Sequence, residues 1–223
     1  MFRKFLSYFL PINIVTQKSA INKSLEVTWN YGELVLDTPN TNYSFGSLQR
    51  ILRSGLKEIG FEKIRNFNNI LILGVAGGSV IKTLVKEIKF GGKIVGVEID
   101  KEIIEIAKKY FGLQENNNLE IVVEDAANFV KNHAQYYDLI VIDIFQDNFM
   151  PEFLFEIEFV QSIKALISTN GFIIFNTMVL DKKNEQRNLD FTSLFDENSF
   201  VITRISKLER FNELIIISKE TNL

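Results

Sequence analysis

Ile70-Leu71-Ile72-Leu73-Gly74-Val75-Ala76-Gly77-Gly78-Ser79 is the stretch that decides the fold. Four consecutive apolar residues without alternation read as a strand buried on both faces, the pattern of a parallel sheet. The small residues after it let the backbone turn tightly and approach a ligand that a Cβ would block. Ser79 then opens a helix. Three acids close later apolar runs in the same manner: Glu98 ends Lys93-Ile94-Val95-Gly96-Val97-Glu98, Asp125 comes just after Leu119 to Val123, and Asp143 ends the run that starts at Asp138. In doubly wound α/β domains a carboxylate about twenty residues beyond the glycine turn grips a ribose through its two hydroxyls. Glu98 stands at that distance.

Outward from this stretch the chain alternates strand and helix, at 70–73, 79–89, 93–98, 101–110, 119–123, 126–133 and 138–143, which predicts a parallel sheet with crossovers. A helix over 152–167, an Asn170-Gly171 turn and a strand over 172–176 follow. The strands at 199–205 and 213–218 are joined by a link too short for a parallel crossover, so they pair antiparallel. The expected fold is α/β and Rossmann-like, with a seven-stranded, mostly parallel sheet and one antiparallel strand. A final strand of this kind is typical of S-adenosylmethionine-dependent transferases. Ahead of it, residues 24–37 alternate around Asn30-Tyr31-Gly32 as a β-hairpin, Pro39 to Asn42 form a loop, and 47–59 carry helical spacing that Gly60 stops. Asn116 to Asn118 read as a loop and Asp181 to Asn188 as a charged, solvated segment.

Composition narrows the function. A chain of 223 residues with 46% hydrophobic content can bury one substantial core. A net charge of -3 argues against a nucleic-acid surface, which would need basic side chains to displace counterions. With no cysteine and His133 as the single histidine, no thiolate or histidine metal site is expected, and the cytoplasm is the default compartment. The start, Met1 to Pro11, is basic and then apolar. Its apolar part is short, interrupted by Ser7 and Tyr8, and lacks a small-residue cleavage site, while no run approaches the ~20 apolar residues of a spanning helix, so no membrane partner is expected. Phe2, Phe5, Leu6 and Phe9 are expected to pack as an amphipathic helix on the domain or on a partner subunit.

Taken alone the glycine turn is a weak signal, because Gly-Val-Ala-Gly-Gly-Ser fails the strict Gly-x-Gly-x-x-Gly spacing. It gains weight from Glu98 and Asp125. Asp125 can accept a hydrogen bond from an adenine amino group, and Ala126 leaves room for the ring. Asp125 is equally suited to capping a helix, and the two roles are compatible.

The ordered set Ile-Leu-Gly-x-x-Gly-Gly, Val-Glu-Ile-Asp, Glu-Asp-Ala, Tyr-Asp-Leu-Ile-Val-Ile-Asp and Asn-Gly-Phe-Ile-Ile-Phe-Asn, across about residues 24–218, resembles the spermidine synthase family. That family carries a class I methyltransferase fold behind a small N-terminal β domain. The resemblance implies an N-terminal part over 1–60 (amphipathic segment, hairpin and helix) and a Rossmann-like S-adenosylmethionine-binding transferase domain over 61–223. It places Gly74, Ala76, Gly77, Gly78, Glu98, Ile99, Asp125, Ala126 and Asp143 around the nucleoside donor, with Glu98 on the ribose and Asp125 on adenine. It also implies a homodimer, for which the hydrophobic N-terminus and Trp29-Asn30-Tyr31 are suited.

The chain departs from that family in two places. Where aminopropyltransferases carry the aspartate of Gly-Gly-Gly-Asp-Gly-Gly, this chain has Gly77. An aspartate there would repel the carboxylate of ordinary S-adenosylmethionine by several kcal/mol at low local dielectric. Where the family has Asp-Ser-Ser-Asp-Pro, this chain reads Asp143-Ile144-Phe145-Gln146-Asp147, which puts glutamine, no proton acceptor near neutral pH, on the catalytic position. Asp143 and Asp147 are the remaining candidate catalytic acids. Glu152, Glu156 and Glu158, with Phe145, Phe149, Phe153 and Phe155, are candidates for a polyamine site, against the reading that the acids of this helix face water. The first expectation is methyl transfer from S-adenosylmethionine to a small, amine-bearing acceptor beneath loop 144–151. The alternatives are aminopropyl transfer from decarboxylated S-adenosylmethionine to a diamine, and a non-catalytic nucleoside-binding protein.

Overall fold

Ile70 to Leu73 are fully buried, as their lack of alternation requires. In the computed structural model, which describes residues 2–38, 42–44, 47–113, 118–146 and 149–220, they lie at the centre of a seven-stranded sheet. The strands are β1 (Ile12–Ser19), β2 (Lys23–Asn30), β3 (Glu33–Asp37), β4 (Asn42–Ser44), β5 (Asn69–Leu73), β6 (Lys93–Glu98), β7 (Leu119–Val123), β8 (Tyr137–Ile142), β9 (Ile167–Met178), β10 (Phe200–Leu208) and β11 (Asn212–Lys219). The large sheet runs β10-β11-β9-β8-β5-β6-β7. Strand β11 is antiparallel to both of its neighbours, and the pairings from β9 through β8, β5 and β6 to β7 are parallel. This is the expected α/β architecture with one reversed strand.

The helices are α1 (Phe2–Leu6), α2 (Ser47–Ile59), α3 (Phe61–Arg65), α4 (Ser79–Lys82), α5 (Lys101–Tyr110), α6 (Ala126–Asn132), α7 (Ile157–Leu166) and α8 (Lys182–Ser193). They cover the sheet on both faces, and the side-chain period of two divides each strand between them. Leu71, Leu73, Ile140, Ile142, Ile173 and Phe175 pack toward α6, α7 and α8. Ile70, Ile72, Leu139, Val141 and Ile174 pack on the other face, with Leu52 and Leu56 of α2 and Val80 and Ile81 of α4.

Several elements differ from the sequence reading. The N-terminal hairpin is part of a four-stranded antiparallel sheet in the order β1-β2-β3-β4. Leu25, Val27 and Leu36 of this sheet pack on Ile103 and Ile106 of α5. Residues Glu152–Phe155 form a 3-10 turn, so the helix begins only at Ile157. Asn170 adopts the left-handed φ of 62° that its turn signal suggests, and it lies within β9 at a register shift, between Ile167 and Phe172, which pair with β8 on either side. The segment read as charged and solvated is helix α8, capped by Asp181, whose side chain accepts from the Asn184 N–H. The first helix does not bury its apolar side on its own chain. Phe2, Phe5, Phe9 and Leu10 are exposed, and the segment is tied down through Ser7, whose Oγ accepts from Gly32 N at 3.0 Å and whose carbonyl accepts from Tyr31 N at 3.0 Å.

Candidate active site

Strands β8, β5, β6 and β7 are consecutive in the sheet, and at their carboxyl ends lie Asp143, the Gly74–Gly78 turn, Glu98 and Asp125. Open α/β sheets bind ligands in the crevice along this edge. The turn is built for close approach. Gly74 has a φ of +89°, and a Cβ there would overlap the Asp143 carbonyl oxygen. Gly78, the residue before α4, has a φ of +76°. Ala76 holds a left-handed φ of 46°, unusual for a residue with a Cβ, whereas Gly77 lies outside that region.

Glu98 clamps this turn. Its Oε2 accepts from the N–H groups of Val75 (3.0 Å) and Ala76 (3.1 Å), and its Oε1 accepts from Asp100 N (3.1 Å). Burial raises its pKa, against the lowering effect of those three donors. The side chain expected on the ribose is therefore already bonded to the turn. A carboxylate has about four acceptor sites, so capacity remains for a hydroxyl. Ile99, the next residue, is exposed beside the crevice.

Asp125 caps α6, its Oδ1 accepting from Asn128 N at 3.1 Å, and Ala126 is buried beneath it. The capping role is thus realised, and Asp125 makes no other side-chain bond among the described residues. His133 closes the same helix and stacks on Phe129 at 3.7 Å between centroids, away from the acids.

Asp143 sits directly after β8. Its Oδ1 accepts from Asn176 Nδ2 at 2.9 Å, and Asn176 Oδ1 in turn accepts from Asn212 Nδ2 at 3.0 Å. Burial, with a further contribution from the charge on Glu98, pushes the Asp143 carboxyl up to about 6, although the bond from Asn176 lowers it. Among the described residues, no lysine or arginine forms an ion pair with Glu98, Asp125 or Asp143.

Asp147 lies outside the described residues. On either side of it the backbones of Gln146 and Phe149 pair at 2.8 and 3.0 Å, and both residues are exposed. Glu152, Glu156 and Glu158 are exposed and do not converge on the crevice, and Phe153 and Phe155 pack against the core. The carboxylates expected along a polyamine tunnel are thus not gathered from this helix. A shallow concavity of about 600 Å³ lined by Phe155, Lys183, Arg187 and Asp190 shares no residue with the acid-lined crevice.

Sequence reading assigned no role to Asn176, Asn212 or Asp100. Asp100 is buried; its Oδ1 caps α5 and its Oδ2 accepts from Ser19 Oγ (2.5 Å) and Asn22 Nδ2 (2.7 Å) at the β1–β2 turn. Burial would raise its pKa, but these donors outweigh it and hold the carboxyl below its ordinary value. The N-terminal sheet is thereby fastened to the strand end that carries Glu98. Among the described residues no group of three His, Cys, Asp or Glu side chains is placed as a metal ion would need. None of the described helices is long and apolar enough to cross a membrane.

Comparison with known proteins matches residues 50–192 to the family described as "Spermine/spermidine synthase domain". The chain belongs to the spermine/spermidine synthase family. Among curated relatives, a polyamine aminopropyltransferase of Vibrio vulnificus is 34% identical over 131 residues, covering 57% of this chain and 44% of the relative. One of Clostridium botulinum is 37% identical over 114 residues, covering 49% and 39%. The aligned stretch thus spans less than half the length of either relative. Among solved structures, spermidine synthase from Thermotoga maritima superposes with a TM-score of 0.70 at 17% identity, over 95% of this chain and 74% of that one. Human methyltransferase-like protein 13 in complex with SAH gives 0.64 at 19% identity, over 79% and 83%. At such identities the likeness is one of fold, and it is the fold of the spermidine synthases and of class I methyltransferases alike.

Proposed function

We propose that the protein transfers an aminopropyl group from decarboxylated S-adenosylmethionine to a small amine. The observation that carries this reading is the set of acids around the glycine turn, Glu98, Asp125 and Asp143, without a basic partner among the described residues. The decarboxylated donor carries a sulfonium and an ammonium and no carboxylate, so it fits such a crevice better than its carboxylated parent does. The family and the names of the curated relatives support the same reading.

In this mechanism the backbone of Gly74 to Gly78 admits the nucleoside, Glu98 retains the ribose hydroxyls while bracing the turn, and Asp125 takes the adenine amino group. Transfer is an in-line displacement in which the amine nitrogen bonds to the carbon beside the sulfonium, the carbon–sulfur bond breaks and its electron pair stays on sulfur. Asp143, ionised near neutral pH with its carboxyl at about 6, accepts the proton that the amine gives up. Placement of donor and acceptor supplies most of the rate. From its sequence position, one place beyond Gln146, Asp147 is the candidate second carboxylate for the amine. We also propose a cytoplasmic homodimer, in which the exposed Phe2, Phe5 and Phe9 are covered by the partner.

A second reading, methyl transfer from ordinary S-adenosylmethionine, is favoured by Gly77, which removes the family's repulsion of the donor carboxylate. Incubation with each donor and a diamine, followed by mass spectrometry, separates the two. Aminopropylated amine with an equal amount of methylthioadenosine supports the proposal. Methylated amine with S-adenosylhomocysteine supports the second reading, and no product with either donor leaves a binding protein.

A further inference from the structure

Asn176 is fully buried, yet it is polar and directly follows the apolar run Phe172-Ile173-Ile174-Phe175 on β9. A buried primary amide is costly unless its donors and acceptor are used. Here one side of the amide faces a carboxylate and the other faces a second amide: Nδ2 donates to Asp143 Oδ1 at 2.9 Å, and Oδ1 accepts from Asn212 Nδ2 at 3.0 Å. The reversed direction of β11 makes this arrangement available. The parallel strands bring only their carboxyl ends to the crevice, whereas β11 begins there, with Asn212 opposite Met178 at the end of β9.

We propose that Asn176 and Asn212 are positioning residues that orient Asp143 and select its carboxylate form, with Asn212 deciding which way the Asn176 amide points. An amide can present N–H or C=O toward Asp143, and only the N–H favours an ionised partner. Donation from Asn212 to the Asn176 carbonyl fixes that choice. Among the described residues the other charged group acting on Asp143 is Glu98 at the end of β6, which works in the opposite sense. From β9 and β11 the facing groups are these neutral amides, and the adjoining loop residues Ile144, Phe145 and Gln146 are uncharged. This inference rests on the role of Asp143 as proton acceptor and adds the residues that set it.

The test uses Asn212→Asp and Asn212→Ala, at a half-buried strand start where the fold tolerates change better than at buried Asn176. The aspartate offers only acceptors, so it turns the Asn176 carbonyl toward Asp143. For Asn212→Asp, the acid limb of kcat/KM for the donor, at saturating amine, is expected to rise by about one pH unit, an approximately tenfold loss well below the limb with little change at pH 8.5. Asn212→Ala should move the limb the same way by less. A second readout does not depend on turnover: the pH dependence of unfolding free energy should shift upward in Asn212→Asp, and that shift should vanish in an Asp143→Asn background. Limbs and stability profiles unmoved in both variants would overturn the relay. So would movement in Asn212→Asp with Asn212→Ala at the wild-type position, since the effect would then be charge alone. If the wild-type protein transfers no aminopropyl group, the reading of its function fails while the stability profiles still decide the relay.

Discussion

Replacing Asp143 by asparagine is expected to abolish aminopropyl transfer and, at neutral pH, to stabilise the fold. The carboxyl is pushed up from 3.8 to about 6, first by burial and then by Glu98, so the folded chain prefers its protonated form. A raised acid makes its full contribution at low pH. Stability is then lost as pH climbs from about 4 to about 6, and above that the native state carries a buried charge at constant cost. A displacement of about two pH units at roughly 1.4 kcal/mol each sets an upper figure of ~3 kcal/mol. Asparagine keeps an oxygen for Asn176 Nδ2 to donate to while removing the charge, and it also relieves Glu98. Urea denaturation of both proteins at pH 4.5 and at pH 8 measures the difference. The variant should be about 1–3 kcal/mol more stable than wild type at pH 8, with only about a third of that advantage at pH 4.5. A variant that is less stable at pH 8, or whose advantage is the same at both pH values, would refute the assignment of a raised, charge-bearing Asp143.

Three further outcomes are expected. Gly77→Asp should fit without backbone strain, since Gly77 is not left-handed, and should weaken binding of carboxylated S-adenosylmethionine by at least about tenfold while sparing the decarboxylated form, as read by calorimetry. Ser19→Ala removes a donor to the buried Asp100 carboxylate and should cost about 1.5–3 kcal/mol in urea denaturation, with affinity for the donor falling because Asp100 and Glu98 share one turn. Phe5→Asp with Phe9→Asp should leave folding intact and convert a dimer to a monomer in light scattering; unchanged mass would exclude the first helix from the interface.

The strand ends were legible because their signals are local. Ile70 to Leu73, the small-residue turn after them, and the acids at positions 98, 125 and 143 each announce a strand end within a few residues, and parallel order brings strand ends to one edge. What sequence pattern could not give was pairing across distant segments. Helix α8 reads as solvated because Asn188 occupies its buried side, and Asn188 is at home there only because Thr177 and Glu213 accept from it. The turn signal at Asn170 is realised as a left-handed irregularity inside β9, between Ile167 and Phe172, the residues that pair with β8 on either side. Asn176 was visible as a polar residue directly after an apolar run, which is a usable signal, but its partners lie 33 and 36 residues away. The exposed first helix shows the converse, an amphipathic pattern whose apolar side is left uncovered by the described residues.

On the proposed function, Glu98, Asp125 and Asp143, which form no ion pair with a lysine or arginine among the described residues, select a donor with two positive charges and no carboxylate. Calorimetric titration with S-adenosylmethionine and with its decarboxylated form tests it directly, because the ligands differ in one carboxylate. The decarboxylated donor is expected to bind about tenfold tighter or more, a difference of at least ~1.4 kcal/mol. Tighter binding of the carboxylated donor would contradict it and make Gly77, rather than the three acids, the residue that determines the reaction.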